Sequence, residues 1–284
     1  MSANSLPKMP KLNEWLQVAT RQLAGIGINS ARLDAEIILA HTLRKSRTYL
    51  HAHNDDVLDP RHLEIADARL QLRLDHTPVA YIIGHKEFYG RLFRVTPATL
   101  IPRPESEVII DLLKQSARAI PPSLLQETIH LIDVGTGSGC LGITAKLECP
   151  ELSVVLSDVS KHALKVAEQN AANLKAEVTF IHSNLLENYP LTPTFILANL
   201  PYVDPTWKRS PETNHEPSQA LFAKDDGLEL INKLLEQAQF RLKPQGHLIL
   251  EADPRQHASI LKTATGLGFQ QQTIQNYIVH LQKA

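Results

Sequence analysis

The chain has 284 residues, of which 43% are hydrophobic and 21% charged, a composition typical of a globular protein with one large or two ordinary domains. Its formal net charge of −1 counts against a general nucleic-acid binder, which usually carries a basic surplus. Two cysteines cannot build a disulfide framework, and the opening MSANSLPKMP has no apolar core, so we expect a cytoplasmic protein with no membrane-spanning segment.

Residues 11–75 have the pattern of a run of helices. In LNEWLQVATRQLAGIG, apolar side chains recur every three or four positions from Leu12 to Leu23, the spacing of a helix with one buried face. SARLDAEIILAHTL and DPRHLEIADARLQLRL continue this pattern, and Ser30 is the predicted N-cap of the second helix. We therefore predict a helical bundle over residues 1–77, with no catalytic constellation of its own.

The next segment, residues 78–104, changes character. Its sequence, PVAYIIGHKEFYGRLFRVTPATLIPRP, has two β-rich pieces around Gly90 and then several prolines. A glycine between two such pieces indicates a hairpin turn, and the prolines indicate an irregular connection. We predict a β-hairpin linker over this segment.

From residue 105 onward, β and α patterns alternate to the end of the chain. Such alternation predicts an α/β domain over residues 105–284 with a parallel, doubly wound sheet, which binds ligands beyond the carboxyl ends of its strands. Asp226 and Glu229 have the spacing of a capping box and predict where one helix begins. The predicted strands are 129–134, 153–159, 177–182, 195–199 and 246–252, followed by two final strands. The predicted helices are 105–118, 139–148, 160–174, 226–242 and 254–266.

A glycine-rich turn follows the first of these strands, in LIDVGTGSGCLG. Glycine lets the backbone turn tightly and approach a ligand without a Cβ clash. Residues 137–142 formally match the G-x-G-x-x-G dinucleotide fingerprint. The strand, however, ends just before Gly135, and the register Asp133-x-Gly135-x-Gly137-x-Gly139 suits S-adenosylmethionine, which has no pyrophosphate.

Asp158 ends the second strand. A carboxylate at this place can accept hydrogen bonds from both ribose hydroxyls, in NAD and S-adenosylmethionine folds alike. The alternative is a glycine turn and an N-capping aspartate without any ligand. Because the turn and the acid occur together in one β-α-β unit, we predict a nucleoside cofactor.

Two further features are interpreted as having no catalytic role. Cys140 follows the glycine turn, but no histidine or lysine stands near it in sequence to activate a thiolate. His51 and His53 form an H-x-H pair with no nearby cysteine or acid-histidine pattern, so no metal site is predicted.

The stretch FILANLPYVDP places an amide, a stiff turn and a phenol after a short buried strand. An amide nitrogen is a poor nucleophile, and a site that methylates it should accept its two N–H protons. The side-chain carbonyl of Asn199 can accept one proton and the backbone carbonyl of Leu200 the other, with Pro201 biasing Leu200 toward an extended conformation. Tyr202 offers a flat face for stacking on a planar group. The alternative is a strand that ends in an ordinary proline turn.

Asn-Leu-Pro-Tyr is similar to the motif of methyltransferases that act on planar nitrogens, namely adenine N6 and glutamine amides. The connector sequences PVAYIIGHKEFYG and TLIPRPESE closely resemble those of the release factor glutamine methyltransferases, the protein-(glutamine-N5) methyltransferases of the PrmC/HemK type. EPSQALFAKDDGLE and LKPQGHLILE also match that family. The resemblance covers roughly residues 12–270.

The resemblance implies an α/β fold: a Rossmann-like class I methyltransferase sheet with an N-terminal helical bundle, which docks the substrate, and a β-hairpin linker. It implies S-adenosylmethionine as cofactor and the glutamine of the Gly-Gly-Gln loop of bacterial class 1 peptide chain release factors as substrate, with no membrane and no direct nucleic-acid substrate. The catalytic residues it implies are Asn199, Leu200, Pro201 and Tyr202. The implied cofactor-binding residues are Gly135, Thr136, Gly137, Ser138, Gly139, Asp158, Leu185 and Asn199.

Several residues depart from the family pattern or keep two interpretations. Leu200 replaces a usual proline and Asn184 a usual acid, which bears on rate and cofactor affinity. Arg103 and Glu107 in the matching connector are either walls of the site or members of a structural ion pair.

Two other functions stay open on sequence alone. An adenine-N6 methyltransferase acting on RNA or DNA predicts a basic cleft, which the balanced charge does not suggest. A binding module that merely retains the fold predicts no binding of S-adenosylmethionine.

Overall fold

A computed structural model describes residues 9–120 and 128–284. The chain divides into two compact units, one ending at Gly84 and the other running from His85 to Ala284. The division falls inside the predicted linker 78–104. Residues 1–8, which make up most of the opening stretch used for the cytoplasmic expectation, lie outside the described residues.

The first unit is helical, as the sequence predicts. The apolar stripe that begins with Leu12 and Trp15 packs into a single core cluster. Ser30 occupies the N-cap position of the second helix, but its side chain makes no capping hydrogen bond. The helices are α1 (Leu12–Gly25), α2 (Ala31–Leu43), α3 (Arg47–Ala52), α4 (Pro60–Leu74) and α5 (Val79–Ile83).

The second unit opens with the predicted hairpin, β1 (His85–Phe88) and β2 (Arg91–Arg94), paired antiparallel. Its two turn residues, Tyr89 and Gly90, have φ angles of 51° and 71°, the backbone that a tight two-residue hairpin turn requires. Phe88 and Phe93 are almost fully buried among the apolar residues of the α/β core. The hairpin is therefore packed into the second unit rather than being a loose connection.

The sheet of the second unit has seven strands in the order β5-β4-β3-β6-β7-β9-β8. The first five in that order run parallel, and β9 runs antiparallel to both of its neighbours, β7 and β8. The strands are β3 (His130–Val134), β4 (Ser153–Asp158), β5 (Thr179–His182), β6 (Phe195–Ala198), β7 (His247–Glu251), β8 (Phe269–Gln275) and β9 (Ile278–Lys283). The helices are α6 (Glu107–Arg118), α7 (Cys140–Glu148), α8 (Lys161–Leu174), α9 (Ser218–Leu221), α10 (Glu229–Arg241) and α11 (His257–Gly266).

Apolar clusters cover both faces of this sheet. Ile132 and Ile196 belong to one cluster, whereas Leu131 and Leu197 belong to the other. Successive residues of a strand point to opposite faces, so a strand buried on both sides is continuously apolar. Every helix in the described part of the chain is too short or too polar to cross a bilayer.

The capping box expected at Asp226 is wrong. The helix α10 begins at Glu229, and its N-cap residue is Leu228, with no side-chain capping bond. Asp225 and Asp226 have φ angles of 54° and 53° and form a turn ahead of the helix. A capping aspartate usually has extended backbone angles, and the left-handed angle of Asp226, three residues before the helix begins, does not fit that role.

Candidate active site

A cavity of about 350 Å³ lies beyond the carboxyl ends of β3, β4 and β6. It brings together most of the residues predicted as a site. The predicted residues that line it are Gly135, Gly137, Asp158, Leu185, Asn199, Leu200 and Pro201. Thr136, Ser138, Gly139 and Tyr202 are close in the chain but are not among the lining residues.

Three glycines with positive φ form the turn after β3. Gly135, Gly137 and Gly139 have φ angles of 70°, 56° and 83°, which favour glycine over other residues. At Gly135 an added Cβ would lie 2.8 Å from Leu200 Cδ2, and at Gly139 it would lie 2.7 Å from Ile143 Cδ1. The turn is thus confined by the neighbouring β6 end on one side and by α7 on the other.

Asp133, in β3, stabilises the glycine turn through two hydrogen bonds. Its Oδ2 accepts hydrogen bonds from Thr136 Oγ1 at 2.5 Å and from the backbone nitrogen of Gly142 at 2.8 Å. Burial raises the pKa of Asp133 to about 6, with these two bonds acting in the opposite direction. The Thr136 hydroxyl is therefore used in a hydrogen bond that stabilises the turn itself.

Asp158 faces the cavity from the end of β4. Its Oδ2 accepts a hydrogen bond from Gly137 N at 2.9 Å, and its Oδ1 accepts one from Ser160 N at 2.8 Å. Burial raises the pKa of Asp158 above its usual value although these bonds favour the charged form. A carboxylate oxygen can accept more than one hydrogen bond, so the group can still accept ligand hydroxyls.

Asn199 belongs to a polar cluster with two buried residues outside the predicted site, Ser106 and Glu251. Its Nδ2 donates to Ser106 Oγ at 3.1 Å and to Glu251 Oε2 at 3.0 Å. The Ser106 hydroxyl also donates to Glu251 Oε2. Glu251 ends β7, the parallel neighbour of β6, and an acid at the end of an apolar strand is a signal that could have revealed it.

Tyr202 is tied to the same carboxylate. Its hydroxyl donates to Glu251 Oε1 at 2.9 Å, and its backbone carbonyl accepts a hydrogen bond from Gln256 Nε2 at 2.9 Å. Burial and the neighbouring Glu251 raise the pKa of the Tyr202 phenol well above its usual value, so the phenol stays protonated. Its polar end is thus turned toward Glu251, and its ring packs against the core cluster.

Arg103 and Glu107 do not pair with each other. Arg103 Nη2 lies 2.6 Å from Glu216 Oε1, and Glu107 Oε1 accepts a hydrogen bond from Tyr89 N at 2.8 Å. Glu216 also accepts from the backbone nitrogen of Ile101 at 3.1 Å. The Arg103–Glu216 ion pair holds the connector segment that contains Arg103 next to the loop that precedes Pro217. Pro217 lines the cavity.

Leu185 and Asn184 form the wall of the cavity next to Asp158. Leu185 is buried and has a φ angle of 50°, a conformation that a leucine rarely adopts. Asn184, which also lines the cavity, donates from Nδ2 to Glu187 Oε1 at 2.7 Å. The leucine side chain gives this wall an apolar surface suited to a flat ring.

The chemical character of the cavity follows from its lining. Asp158 is the one charged residue among the described residues that line it, so the site favours a neutral or positively charged ligand. Within the described ranges no cluster of three histidine, cysteine or acidic side chains is suited to a metal ion. Burial raises the pKa of Cys140 to about 12, which keeps this thiol protonated at neutral pH.

A larger cavity of about 910 Å³ opens at the opposite, amino end of the parallel strands. Thr194, His247 and Gln282 are among the residues that line it. None of the residues predicted as a site is there. In a doubly wound sheet, ligands bind at the carboxyl ends, where the smaller cavity lies.

Comparisons with known proteins agree with this architecture. The family model described as "PrmC N-terminal domain" matches residues 14–84, and the one described as "Methyltransferase small domain" matches residues 110–216. A solved T. thermophilus 16S rRNA methyltransferase, in complex with AdoMet and guanosine, covers 70% of this chain and 50% of its own, at 15% identity and a TM-score of 0.51. That likeness shows the fold of the α/β unit.

Two curated relatives are more similar in sequence. A release factor glutamine methyltransferase of Koribacter versatilis is 36% identical over 253 residues, which cover 86% of this chain and 88% of that protein. A bifunctional methyltransferase of Rickettsia prowazekii is 35% identical over 276 residues, covering 91% of this chain but 53% of that protein. The chain thus spans about half the length of the bifunctional relatives that it matches.

Proposed function

Because this chain belongs to the family of release factor glutamine methyltransferases, we propose that it methylates the side-chain amide nitrogen of a glutamine, with S-adenosylmethionine as the methyl donor. The glutamine is that of the Gly-Gly-Gln motif in bacterial class 1 peptide chain release factors. The observation that carries the proposal is the position of Asn199. Asn199 lines the same cavity as the glycine turn, and its side-chain nitrogen is bound to Glu251 and Ser106.

The cavity fits S-adenosylmethionine in three respects. Its backbone turn at Gly135 and Gly137 leaves no Cβ in the way, Asp158 supplies a fixed acceptor for ribose hydroxyls, and Leu185 supplies an apolar wall for the adenine. Its lining carries a negative charge and no lysine or arginine within the described residues, which suits a sulfonium better than a pyrophosphate. When bound, the cofactor supplies an electrophilic methyl group.

The polar groups after β6 orient the substrate amide. Asn199 Oδ1 and the Leu200 carbonyl accept its two N–H protons, which holds the nitrogen lone pair toward the methyl group. Pro201 biases Leu200 toward an extended backbone and so aims that carbonyl. The rate comes mainly from positioning and from carbonyl dipoles placed where charge develops.

No side chain is needed as a base before the methyl group is transferred. The amide proton becomes acidic as the N–C bond forms, and water takes it. The protonated Tyr202 phenol and the protonated Cys140 thiol are accordingly not assigned a proton-transfer role.

The first unit is proposed to dock the release factor, and the whole reaction is proposed to take place in the cytoplasm, where translation ends. The alternative function, adenine-N6 methylation of RNA or DNA, is not favoured. The cavity lining has no lysine or arginine among the described residues to attract a phosphate backbone.

The deciding experiment measures transfer of labelled methyl from S-adenosylmethionine to a purified class 1 release factor. The factor with Gly-Gly-Gln should be labelled, and the factor with Gly-Gly-Ala should not. Asn199→Ala should abolish transfer while calorimetry still detects cofactor binding. Labelling of RNA in place of the factor, or full activity of Asn199→Ala, would overturn the proposal.

A further inference from the structure

We propose that Glu251 is a positioning residue that fixes the orientation of the Asn199 carboxamide and so aims its carbonyl oxygen at the substrate amide. This inference rests on the proposed function and assigns a role to a residue outside the Asn-Leu-Pro-Tyr motif. The carboxylate of Glu251 also holds the Tyr202 hydroxyl, so one side chain fixes both ends of that motif.

The position of Glu251 follows from the sheet. In the β6–β7 register Ala198 is opposite Leu250, so Asn199 and Glu251 are the next residues of two parallel neighbours, at the carboxyl ends of both. Glu251 is 2% exposed, and so is shielded from water in the second unit. The buried Ser106, just ahead of α6, closes the cluster from a third element.

When Glu251 is ionised, every hydrogen-bond donor of the cluster has an acceptor within it. The two protons on Asn199 Nδ2 go to Ser106 Oγ and Glu251 Oε2, the Ser106 hydroxyl proton goes to Oε2, and the Tyr202 hydroxyl proton goes to Oε1. Each of these four protons has one acceptor, and the lone pairs of the carboxylate are sufficient for the three hydrogen bonds that it accepts.

This count decides which way the carboxamide faces. An ionised carboxylate accepts hydrogen bonds and cannot donate them, so it selects the nitrogen of Asn199 and repels its oxygen. The oxygen is then the part of the carboxamide that is left for the substrate, in a residue that lines the cavity. A carboxamide without this partner could turn over and offer N–H groups to the substrate N–H groups.

Stability alone is a weak explanation for this carboxylate. Among the described residues Glu251 has no salt-bridge partner, and Arg103, whose charge favours the ionised form of Glu251, pairs with Glu216. A buried carboxylate that lacks a cation is costly unless hydrogen bonds compensate, and an apolar residue of similar size would avoid that cost. Burial also raises the pKa of Glu251 above its usual value, consistent with that cost.

The test compares Glu251→Gln and Glu251→Leu with the wild-type enzyme in methyl transfer to the release factor. Glutamine can face Asn199 with either its oxygen or its nitrogen, and leucine cannot accept at all. We expect kcat to fall about 10-fold for Gln and about 100-fold for Leu, the range seen when a group that preorganises a catalytic dipole is lost. The dissociation constant of S-adenosylmethionine should stay within about twofold, because Asp158 and the glycine turn are untouched.

Glu148→Gln is the matched control. Glu148 pairs with Arg91 and Lys114 and does not line the cavity, so the same chemical change there should leave kcat within about twofold. Unchanged kcat in both Glu251 variants would overturn the inference. So would a loss of cofactor affinity that matches the loss of kcat.

A reciprocal exchange separates positioning from mere packing. Asn199→Asp places two carboxylates side by side. Asn199→Asp combined with Glu251→Gln restores one hydrogen-bond donor, the amide at position 251, and one acceptor, the carboxylate at position 199. The double variant should be about tenfold more active than Asn199→Asp alone. Additive losses would contradict the proposal.

One readout does not depend on the substrate at all. The side-chain amide protons of Asn199, assigned in a nitrogen-15 NMR spectrum by their disappearance in Asn199→Ala, should exchange slowly with water and at least about tenfold faster in Glu251→Leu. If the wild-type enzyme labels no release factor but this difference is present, the proposed function fails and the positioning stands. Equal exchange in both proteins refutes the positioning.

Discussion

Asp158 and Gly137 are joined by a hydrogen bond of 2.9 Å between Oδ2 and the backbone nitrogen, although they lie in two different strand-to-helix turns. Asp158 is also fixed by Ser160 N, so its carboxylate is oriented before a ligand arrives. The orientation of this acceptor should therefore matter for cofactor affinity and not for the release factor.

Asp158→Ala should weaken the binding of S-adenosylmethionine by about 10- to 100-fold. Hydrogen bonds to a charged group contribute about 1.5–3 kcal/mol, and alanine removes the acceptor. Calorimetry measures the dissociation constant. Asp111→Ala removes a carboxylate that accepts from Tyr89 Oη on the exposed side of α6 and serves as the control. An unchanged dissociation constant in Asp158→Ala would remove this residue from the cofactor site.

Gly227→Ala should destabilise the protein by about 2 kcal/mol more than Gly268→Ala, because it adds a steric clash to the same backbone strain. The two glycines have φ angles of 82° and 83°. An added Cβ at Gly227 would lie 1.9 Å from the Tyr202 carbonyl oxygen, whereas at Gly268 it meets nothing within 4 Å. Urea denaturation of both variants measures the difference. Equal midpoints would show that the loop containing Tyr202 moves to accommodate the added methyl group without loss of stability.

The stability of the second unit should fall as the pH drops from about 6.5 to 4, through His280. Burial, with a smaller effect of the neighbouring His247, lowers the pKa of His280 to about 4. The unfolded chain then binds a proton that the folded chain does not, so unfolding is favoured as the pH falls through this window, by on the order of 3 kcal/mol. Well above pH 6.5 the histidine is neutral in both the folded and the unfolded chain, and the effect vanishes.

His280→Gln should flatten this acid limb of the stability curve. The variant is compared with the wild type by urea denaturation at a series of pH values, and His162→Gln, at an exposed position of α8, is the control. Parallel curves for wild type and His280→Gln would mean that other groups cause the acid sensitivity.

Asp34→Ala should destabilise the first unit by about 3 kcal/mol, because it removes a carboxylate that accepts from a buried guanidinium. Arg73 Nε lies 2.7 Å from Asp34 Oδ2, and the Arg73 side chain is 2% exposed. The double variant Asp34→Leu, Arg73→Met should be markedly more stable than the single one. In a Trp207→Phe background, the fluorescence of the buried Trp15 reports on this unit, and an equal loss in single and double variants would contradict the argument.

The sequence predicts the secondary structure of the α/β unit well because its signals are local. The apolar run before Gly135 and the acid at the end of β4 can each be recognised from a few adjacent residues. In the structure, Gly135 and Asp158 line the same cavity. Asp226 shows the limit of such reading. Its spacing from Glu229 fits a capping box, but the turn fixes its φ angle at 53°, which no spacing rule reveals.

Ser106 and Glu251 escaped prediction for another reason. Each is separated from Asn199 by dozens of positions, and the three meet only once β6, β7 and the start of α6 are in place. A serine before a helix and a glutamate at the end of a strand are common, so the place of Glu251 in β7 suggests a role without identifying its partners. Their importance depends on a three-dimensional contact that periodicity does not encode.

The order of the sheet has a consequence for shortened chains. The strand β9 lies between β7 and β8, although it is the last of the three in sequence. A truncation before Ile278 would therefore leave β8 with no neighbour to pair with and would turn β7 into an open edge with unpaired backbone groups. Such fragments should self-associate through that edge, so a fusion joint should not fall within the last strand.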